Sequence, residues 1–325
     1  MTGVRPIFIL GAARSGTTML GAILGSAKGC LATPESQFLT NLVAGASWPG
    51  GILYPDVARS GLARDYRFRI WGVAEDAIFS GLEAPIKLRC VLERLILAYS
   101  VQRGGGEVEV WVDHTPGSLF ILPHLAEVFP DARFLHLVRD GRAVGASILP
   151  LDWGPVNIAD AARRWSCEVA VGLAAETAPL VRGRIRRVYY ESLVSEPLAT
   201  VADLCNFCDL PFEESMTQGK GFLVPRYTRD QHSLVGSQPQ IARVSSWKTR
   251  LSARQIEIFE ADAGGLLQLL GYPTEFWPDA VGQTEYEAWS ARLRKLLVRP
   301  YNFIRHRRRL QGHFQHVEIS ADGRQ

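Results

Sequence analysis

Nowhere in these 325 residues is there a run of about 18 apolar residues, the shortest that crosses a bilayer as a helix, so no helical membrane span is expected. No internal repeat and no low-complexity stretch occurs, which excludes solenoid and array architectures. Cysteine is scarce: Cys30, Cys90, Cys167, Cys205 and Cys208 are an odd set, and no charged leader or cleavage site precedes the first apolar run. Reduced thiols in a cytoplasmic protein are the expectation. Cys205-x-x-Cys208 has no second pair to complete a metal site and lies late in a helix-like run, which favours core thiols over a redox pair. The histidines show no metal-ligand spacing with cysteines or acids, so no metal is expected.

What is present fits an ordinary globular chain: 47% hydrophobic and 21% charged residues, with a net charge of +3. That mild value hides an asymmetry. Arg292 to Arg309 holds 8 Lys/Arg and no Asp/Glu, and taking those from +3 leaves −5 elsewhere. Length and pattern suggest one large domain over residues 1–282 and a basic helical extension over 283–325. In the extension Trp289, Leu293, Leu296 and Leu297 share a helix face, with Arg292, Arg294, Lys295 and Arg299 on the other sides. Such a helix can lie on an anionic membrane, giving peripheral contact through residues 289–309. It can equally pack on the domain with solvated arginines. No recognised nucleic-acid module is present.

Strand and helix signals alternate, which predicts an α/β fold with a largely parallel sheet flanked by helices. Strands are expected at Ile7–Leu10, Val108–Val112, Arg133–Val138 and Ile185–Tyr190. Helices are expected at Gly16–Leu24, Ser36–Val43, Ile86–Val101, Ser118–Val128, Arg142–Ile148, Ala159–Ala178 and Pro197–Cys208. Gly45–Gly61 reads as a surface loop, and Leu210–Gln240 as a long irregular segment. Ser252-x-x-Gln255 and Thr284-x-x-Glu287 are capping boxes, and Pro300 should end or kink the second of these helices.

Two strand-to-helix junctions carry the chemistry. In Gly11-Ala-Ala-Arg14-Ser15-Gly16-Thr17-Thr18 the glycines let backbone N–H groups close around a phosphate, aided by the helix dipole. The Gly-x4-Gly spacing equals that of a Walker A loop, but Thr17 replaces its lysine. The loop is therefore ill-equipped for a Mg²⁺-bound β/γ-phosphate and still suited to a single 5′-phosphate. In Phe134-Leu-His-Leu-Val-Arg139-Asp140 the arginine ends a strand, Asp140 can cap the next helix, and Ser147 lies about two turns on.

Arg14-Ser-Gly-Thr-Thr18 resembles the 5′-phosphosulfate loop of sulfotransferases that use PAPS (3′-phosphoadenosine 5′-phosphosulfate). The branch it is similar to includes tyrosylprotein and bacterial carbohydrate or metabolite sulfotransferases. Arg139 and Ser147 resemble that family's 3′-phosphate segment, and Arg187-Val-Tyr-Tyr190-Glu191 its strand ending in Tyr-Glu. Val244-Ser-Ser246-Trp247-Lys248 resembles a segment that follows a nucleotide-covering loop. The matches span Pro6 to Tyr272 and omit Trp48–Gly81 and the tail.

The resemblance implies a P-loop-like sulfotransferase fold and in-line transfer of a sulfuryl group from PAPS to an acceptor hydroxyl or amine. Adenosine 3′,5′-bisphosphate would be the product. It implies nucleotide contacts from Arg14, Ser15, Gly16, Thr17, Thr18, Arg139, Ser147, Tyr190, Ser237 and Arg243. Glu35, in the position of the family's catalytic glutamate, is the implied base; a capping carboxylate for the helix after it is the alternative. Asp113-His114-Thr115-Pro116 resembles a motif that usually carries a lysine where His114 stands, leaving a weaker charge role or a base role for the imidazole. Asp113 either orients that imidazole or caps the turn. The acceptor that the resemblance implies is a hydroxyl-bearing small molecule, carbohydrate, lipid or peptide. A nucleotide kinase or NTPase with a degenerate loop, and a catalytically silent nucleotide-binding protein, are the competing readings.

Overall fold

The computed structural model describes residues 3–232, 235–237 and 239–322, with side chains to residue 314. The chain forms two compact units, one of Met1–Val138, Ala170–Val224 and Leu234–Pro239, the other of Arg139–Val169, Pro225–Ser233 and Gln240–Gln325.

The first unit is built on β1 (Arg5–Gly11), β2 (Cys30–Ala32), β3 (Ile52–Leu53), β4 (Ile86–Lys87), β5 (Val110–Asp113), β6 (Arg133–Val138) and β7 (Ile185–Tyr189). Five of these make a parallel sheet in the order β2-β5-β1-β6-β7, while β3 and β4 pair as a short antiparallel ribbon. β1 lies at the centre because Ile7, Phe8, Ile9 and Leu10 are wholly buried, as a strand covered on both faces requires. Phe8 stacks on Phe134 at 5.6 Å and meets Trp111 edge-on at 5.4 Å. After β1 the chain moves out to β2 and returns through β5, then crosses to β6 and β7 on the other side. In open α/β sheets such a reversal of strand order marks the carboxyl ends of the strands as the place where ligands bind. β1 and β6 end side by side, with Gly11 opposite Leu137.

The expected α/β class and parallel sheet are found. Several local expectations change. β2 joins the sheet edge where no strand was predicted. Gly45–Gly61 is not all loop: it contains β3 and most of a helix, Pro55–Ala63, with Pro55 in the first turn where its missing N–H costs least. The helix expected from Ser36 starts at Leu39. Cys205 and Cys208 are buried, and burial pushes their thiols up to about 11 and about 12, as inert core thiols should be.

In the second unit the helix Gly141–Ile148 is capped by Asp140, whose carboxylate accepts from the Arg142 N–H. The Arg142 side chain is buried between Asp140 and Glu260, at 2.8 and 2.7 Å, with its guanidinium 4.1 Å above the Trp247 ring. Glu260 also accepts from the backbone N–H groups of Glu275, Phe276 and Trp277. A buried ion pair with this many partners fixes geometry, because removing either member strands a charge. Both predicted capping boxes form. The terminal helix, Glu285–Asp322, continues through Pro300 rather than ending there. Leu296, whose carbonyl loses its helical partner at Pro300, lies on an exposed face where water can take that bond. Among the described residues no helix is long and apolar enough to cross a membrane, and no group of three or more His, Cys, Asp or Glu is placed to hold a metal.

Candidate active site

The turn between β1 and the first helix, Thr17–Leu24, adopts a conformation few sequences allow. Gly11, Arg14 and Gly16 have φ of 143°, 73° and 107°. A Cβ on Gly11 would stand 2.3 Å from the Leu137 carbonyl oxygen, and one on Gly16 2.7 Å from Cδ2 of Tyr190. Arg14 is not glycine, so its left-handed backbone stores strain of the kind concentrated at functional sites. The helix that follows has no side-chain cap and no acidic residue in its first turn. Helix N-termini of this kind favour negative charge. The Ser15 hydroxyl is fully buried and has no hydrogen-bond partner. Hydroxyls of Thr17 and Thr18 head the same helix. The turn has the form of a phosphate loop without the lysine that a Walker loop uses.

Tyr190 begins the short helix after β7 and packs its ring against Gly16. Tyr189 instead has its hydroxyl 3.3 Å from Arg187. Sequence reasoning could only prefer one tyrosine over the other; the structure brings Tyr190 to the loop.

Glu35 follows β2 and is walled in by protein, although part of its surface still reaches solvent as in a cleft. Burial holds its carboxyl above the usual range; the Arg67 and Arg14 guanidiniums and a 2.8 Å bond from Gln37 oppose that rise, and Asp113 adds to it. Arg14 and Glu35 therefore share one electrostatic neighbourhood. The helix that Glu35 could have capped starts at Leu39, has Phe38 at its cap position, and takes no side-chain cap.

Asp113, at the end of β5, does not turn toward the imidazole. Its carboxylate accepts from Ser36 Oγ, from the Thr115 N–H at 2.9 Å and from Thr115 Oγ1 at 3.2 Å. Thr115 Oγ1 in turn accepts from the Ser36 N–H at 2.7 Å. This buried brace ties the end of β5 to the residue after Glu35 and so fixes where Glu35 stands.

His114 lies against Gly21, one turn into the helix from Thr17, with its ring 4.8 Å from Phe222. Neither ring nitrogen has a partner in hydrogen-bonding geometry, and burial pushes the imidazole down to about 4; backbone groups of His114 and Thr33 offset this only in part. It is neutral at pH 7. The unfolded chain, near the ordinary 6.5, binds this proton more readily than the folded one. Its share of stability is therefore whole above 6.5 and lost as pH falls toward 4. Urea unfolding should show the parent losing up to about 3 kcal/mol more than His114→Gln across that window.

Arg67 and its helix, Tyr66–Trp71, were not anticipated as neighbours of the site. Trp71 Nε1 donates to the Glu35 carbonyl at 3.4 Å. No sequence signal pointed there, since these residues lie outside the four segments that carry the resemblance.

In the second unit Arg139 donates to the Arg243 carbonyl at 3.2 Å, so these two candidates meet. Trp165 Nε1 donates to the Arg139 carbonyl at 3.2 Å. Ser147 is half-buried on the helix Gly141–Ile148, and Arg243 is exposed on Ala242–Ser245. Ser237 is exposed and belongs to the first unit.

A central parallel sheet with a strained, uncapped strand-to-helix turn at β1 defines an α/β protein with a phosphate-loop-like cradle. The description "Sulfotransferase family" matches residues 6–214, and the chain belongs to that family. Protein-tyrosine sulfotransferase 1 of Danio rerio is 24% identical over 218 residues, covering 65% of this chain and 54% of that one. Carbohydrate sulfotransferase 6 of Homo sapiens is 26% identical over 217 residues, 58% of this chain and 54% of that one. The chain thus spans about half the length of these two relatives. The sulfotransferase domain from the Synechococcus PCC 7002 olefin synthase superposes with a TM-score of 0.58 at 22% identity, over 85% of this chain and 98% of that one. The sulfotransferase domain from the curacin biosynthetic pathway gives 0.55 at 18%, over 85% and 99%. These two share the fold.

Proposed function

We propose that this chain moves a sulfuryl group from PAPS to an acceptor hydroxyl or amine, with Glu35 as base and no metal. The observation that carries the reading is the cradle itself: a strained turn, a helix N-terminus with no side-chain cap, and a buried Ser15 hydroxyl without a partner, beside a carboxyl raised by burial. The residues present fit a 5′-phosphosulfate. Backbone N–H groups from Gly16 to Thr18, the Thr17 and Thr18 hydroxyls and the Arg14 guanidinium would meet negative charge on the leaving 5′-phosphate oxygen. Arg139, Ser147 and Arg243 would take the 3′-phosphate, and Ser237 would approach with the covering loop. Tyr190 would wall the nucleotide.

PAPS supplies the sulfuryl group. Glu35 takes the proton from the acceptor as its oxygen or nitrogen bonds to sulfur and the bond from sulfur to the 5′-phosphate oxygen breaks, leaving adenosine 3′,5′-bisphosphate. A carboxyl held above its usual range is a stronger base than an exposed glutamate. His114, neutral in the free protein, would be drawn toward its protonated form by an anion nearby.

The relatives are named for protein tyrosine and carbohydrate. The acceptor here is accordingly sought among hydroxyl-bearing peptides, carbohydrates, lipids and small molecules. Residues 289–309 are the segment for any peripheral membrane contact by a cytoplasmic enzyme. The deciding experiment incubates the chain with PAPS and an acceptor panel, with and without a chelator, and reads added sulfate by mass spectrometry. Chelator-insensitive transfer is expected; hydrolysis of ATP in its place would contradict the reading. Within that assay His114→Ala should lose about tenfold or more in kcat and His114→Lys should keep substantial activity, the range that a single proton or charge contact controls.

A further inference from the structure

The terminal helix carries its amphipathic pattern inside out. A helix on a globular body normally turns its apolar stripe inward. Here the polar side is the one held. Glu287 takes two bonds from Arg254, at 2.9 and 2.8 Å. Arg305, His306 and Arg309 converge on Asp152, whose side chain is 1% exposed, at 4.0, 3.9 and 3.3 Å. His313 packs 5.6 Å from Tyr227.

The opposite side, at helical spacing, presents Trp289, Leu293, Leu296, Leu297, Phe303 and Ile304 to solvent, with Leu296 70% and Leu297 78% exposed. A contiguous apolar surface of this kind marks an interaction site. Arg292 and Arg299 flank one edge of the stripe, Arg294 and Arg308 the other, and all four are exposed.

We propose that this face is a docking surface for an anionic lipid bilayer, with the helix lying in the plane of the interface. The charge pattern selects that occupant. Between Arg292 and Arg309 no acidic residue is present, so a second copy seated on that stretch of the face would oppose arginine to arginine. Phospholipid headgroups supply the missing negative charge and acyl chains cover the apolar stripe. The helix is long enough to cross a bilayer, but no stretch of its described residues is apolar enough. The proposal is independent of the transfer chemistry.

The test is sedimentation of the full chain with phosphatidylcholine vesicles, with and without phosphatidylserine. Binding at least about tenfold tighter to the phosphatidylserine vesicles is expected, and L296E/L297E and R292E/R299E should each lower it by about tenfold or more. Unchanged thermal unfolding and unchanged calorimetric binding of adenosine 3′,5′-bisphosphate would show that these variants keep their fold and their nucleotide site. Equal binding by parent and L296E/L297E overturns the proposal, as does no binding by the parent. Competition by soluble glycerophosphoserine as strong as that of added vesicles would also overturn it, because a headgroup pocket would then be at work. Lipid-free self-association that L296E/L297E abolishes would give the face to a second copy instead.

Discussion

Glu35→Gln is expected to slow sulfuryl transfer by about 10²- to 10⁴-fold, the range that a positioned general base supplies, while leaving nucleotide affinity nearly unchanged. Glutamine keeps the size of the side chain and can still contact Gln37, but it cannot accept the acceptor's proton. The pH profile separates this loss from a loss of fold. A base works deprotonated, so kcat/KM should rise with pH through the Glu35 pKa and level off above it. Because burial holds that pKa above the ordinary 4.5, the rising limb lies above 4.5 too. Arg67 is the largest charge opposing the rise. Arg67→Ala should therefore move the limb to still higher pH. A Glu35→Gln variant as fast as the parent would remove Glu35 from the chemistry.

Gly16→Ala should cost the nucleotide roughly 10- to 100-fold in affinity, equivalent to the 1–3 kcal/mol that a strained backbone stores. Two things oppose a side chain there. The φ of 107° lies where residues with a Cβ rarely go, and the new Cβ would press on the Tyr190 ring at 2.7 Å. Either the turn opens or the tyrosine moves, and both spoil the cradle. Tyr190→Ala added to Gly16→Ala relieves the collision but not the dihedral, so it should restore little. Calorimetry with adenosine 3′,5′-bisphosphate reads both variants, and thermal unfolding checks that each remains folded.

The sheet was legible because its central strands are apolar: Ile7–Leu10 is an unbroken run and Phe134–Val138 is interrupted only by the buried His136, which leaves little alternative to burial on both faces. β2 was not legible, since Cys30–Ala32 is three residues long and shows no alternation. Its place is set by pairing with β5, a contact distant in sequence. The helix Pro55–Ala63 was hidden by Gly50 and Gly51 before it and Gly61 within it, which read locally as loop. The strained turn after β1 was legible from its glycines at a strand-to-helix junction, because backbone conformation and close approach select that residue type directly.

The surroundings of Glu35 were not legible. Arg67 reaches it from a segment without a motif, and the Asp113–Ser36–Thr115 brace joins residues far apart in the chain. Nothing in the sequence marks Arg142 for burial. Its partner Glu260 is 118 positions away, and only the folded unit brings them together. The basic tail gave two readings in sequence, and the side on which it is held could be learned only from contacts with Asp152 and Arg254.

The proposed function requires recognition of an adenine nucleotide that carries both a 5′ and a 3′ phosphate, with Arg139 as the proposed 3′-phosphate contact. Titration calorimetry with adenosine 3′,5′-bisphosphate, 5′-AMP and ATP, on the parent and on Arg139→Ala, tests it most directly. The bisphosphate should bind the parent far more tightly than either competitor, and Arg139→Ala should bring it down to the affinity of 5′-AMP. Equal affinity for the bisphosphate and 5′-AMP on the parent, or a preference for ATP, would contradict the account.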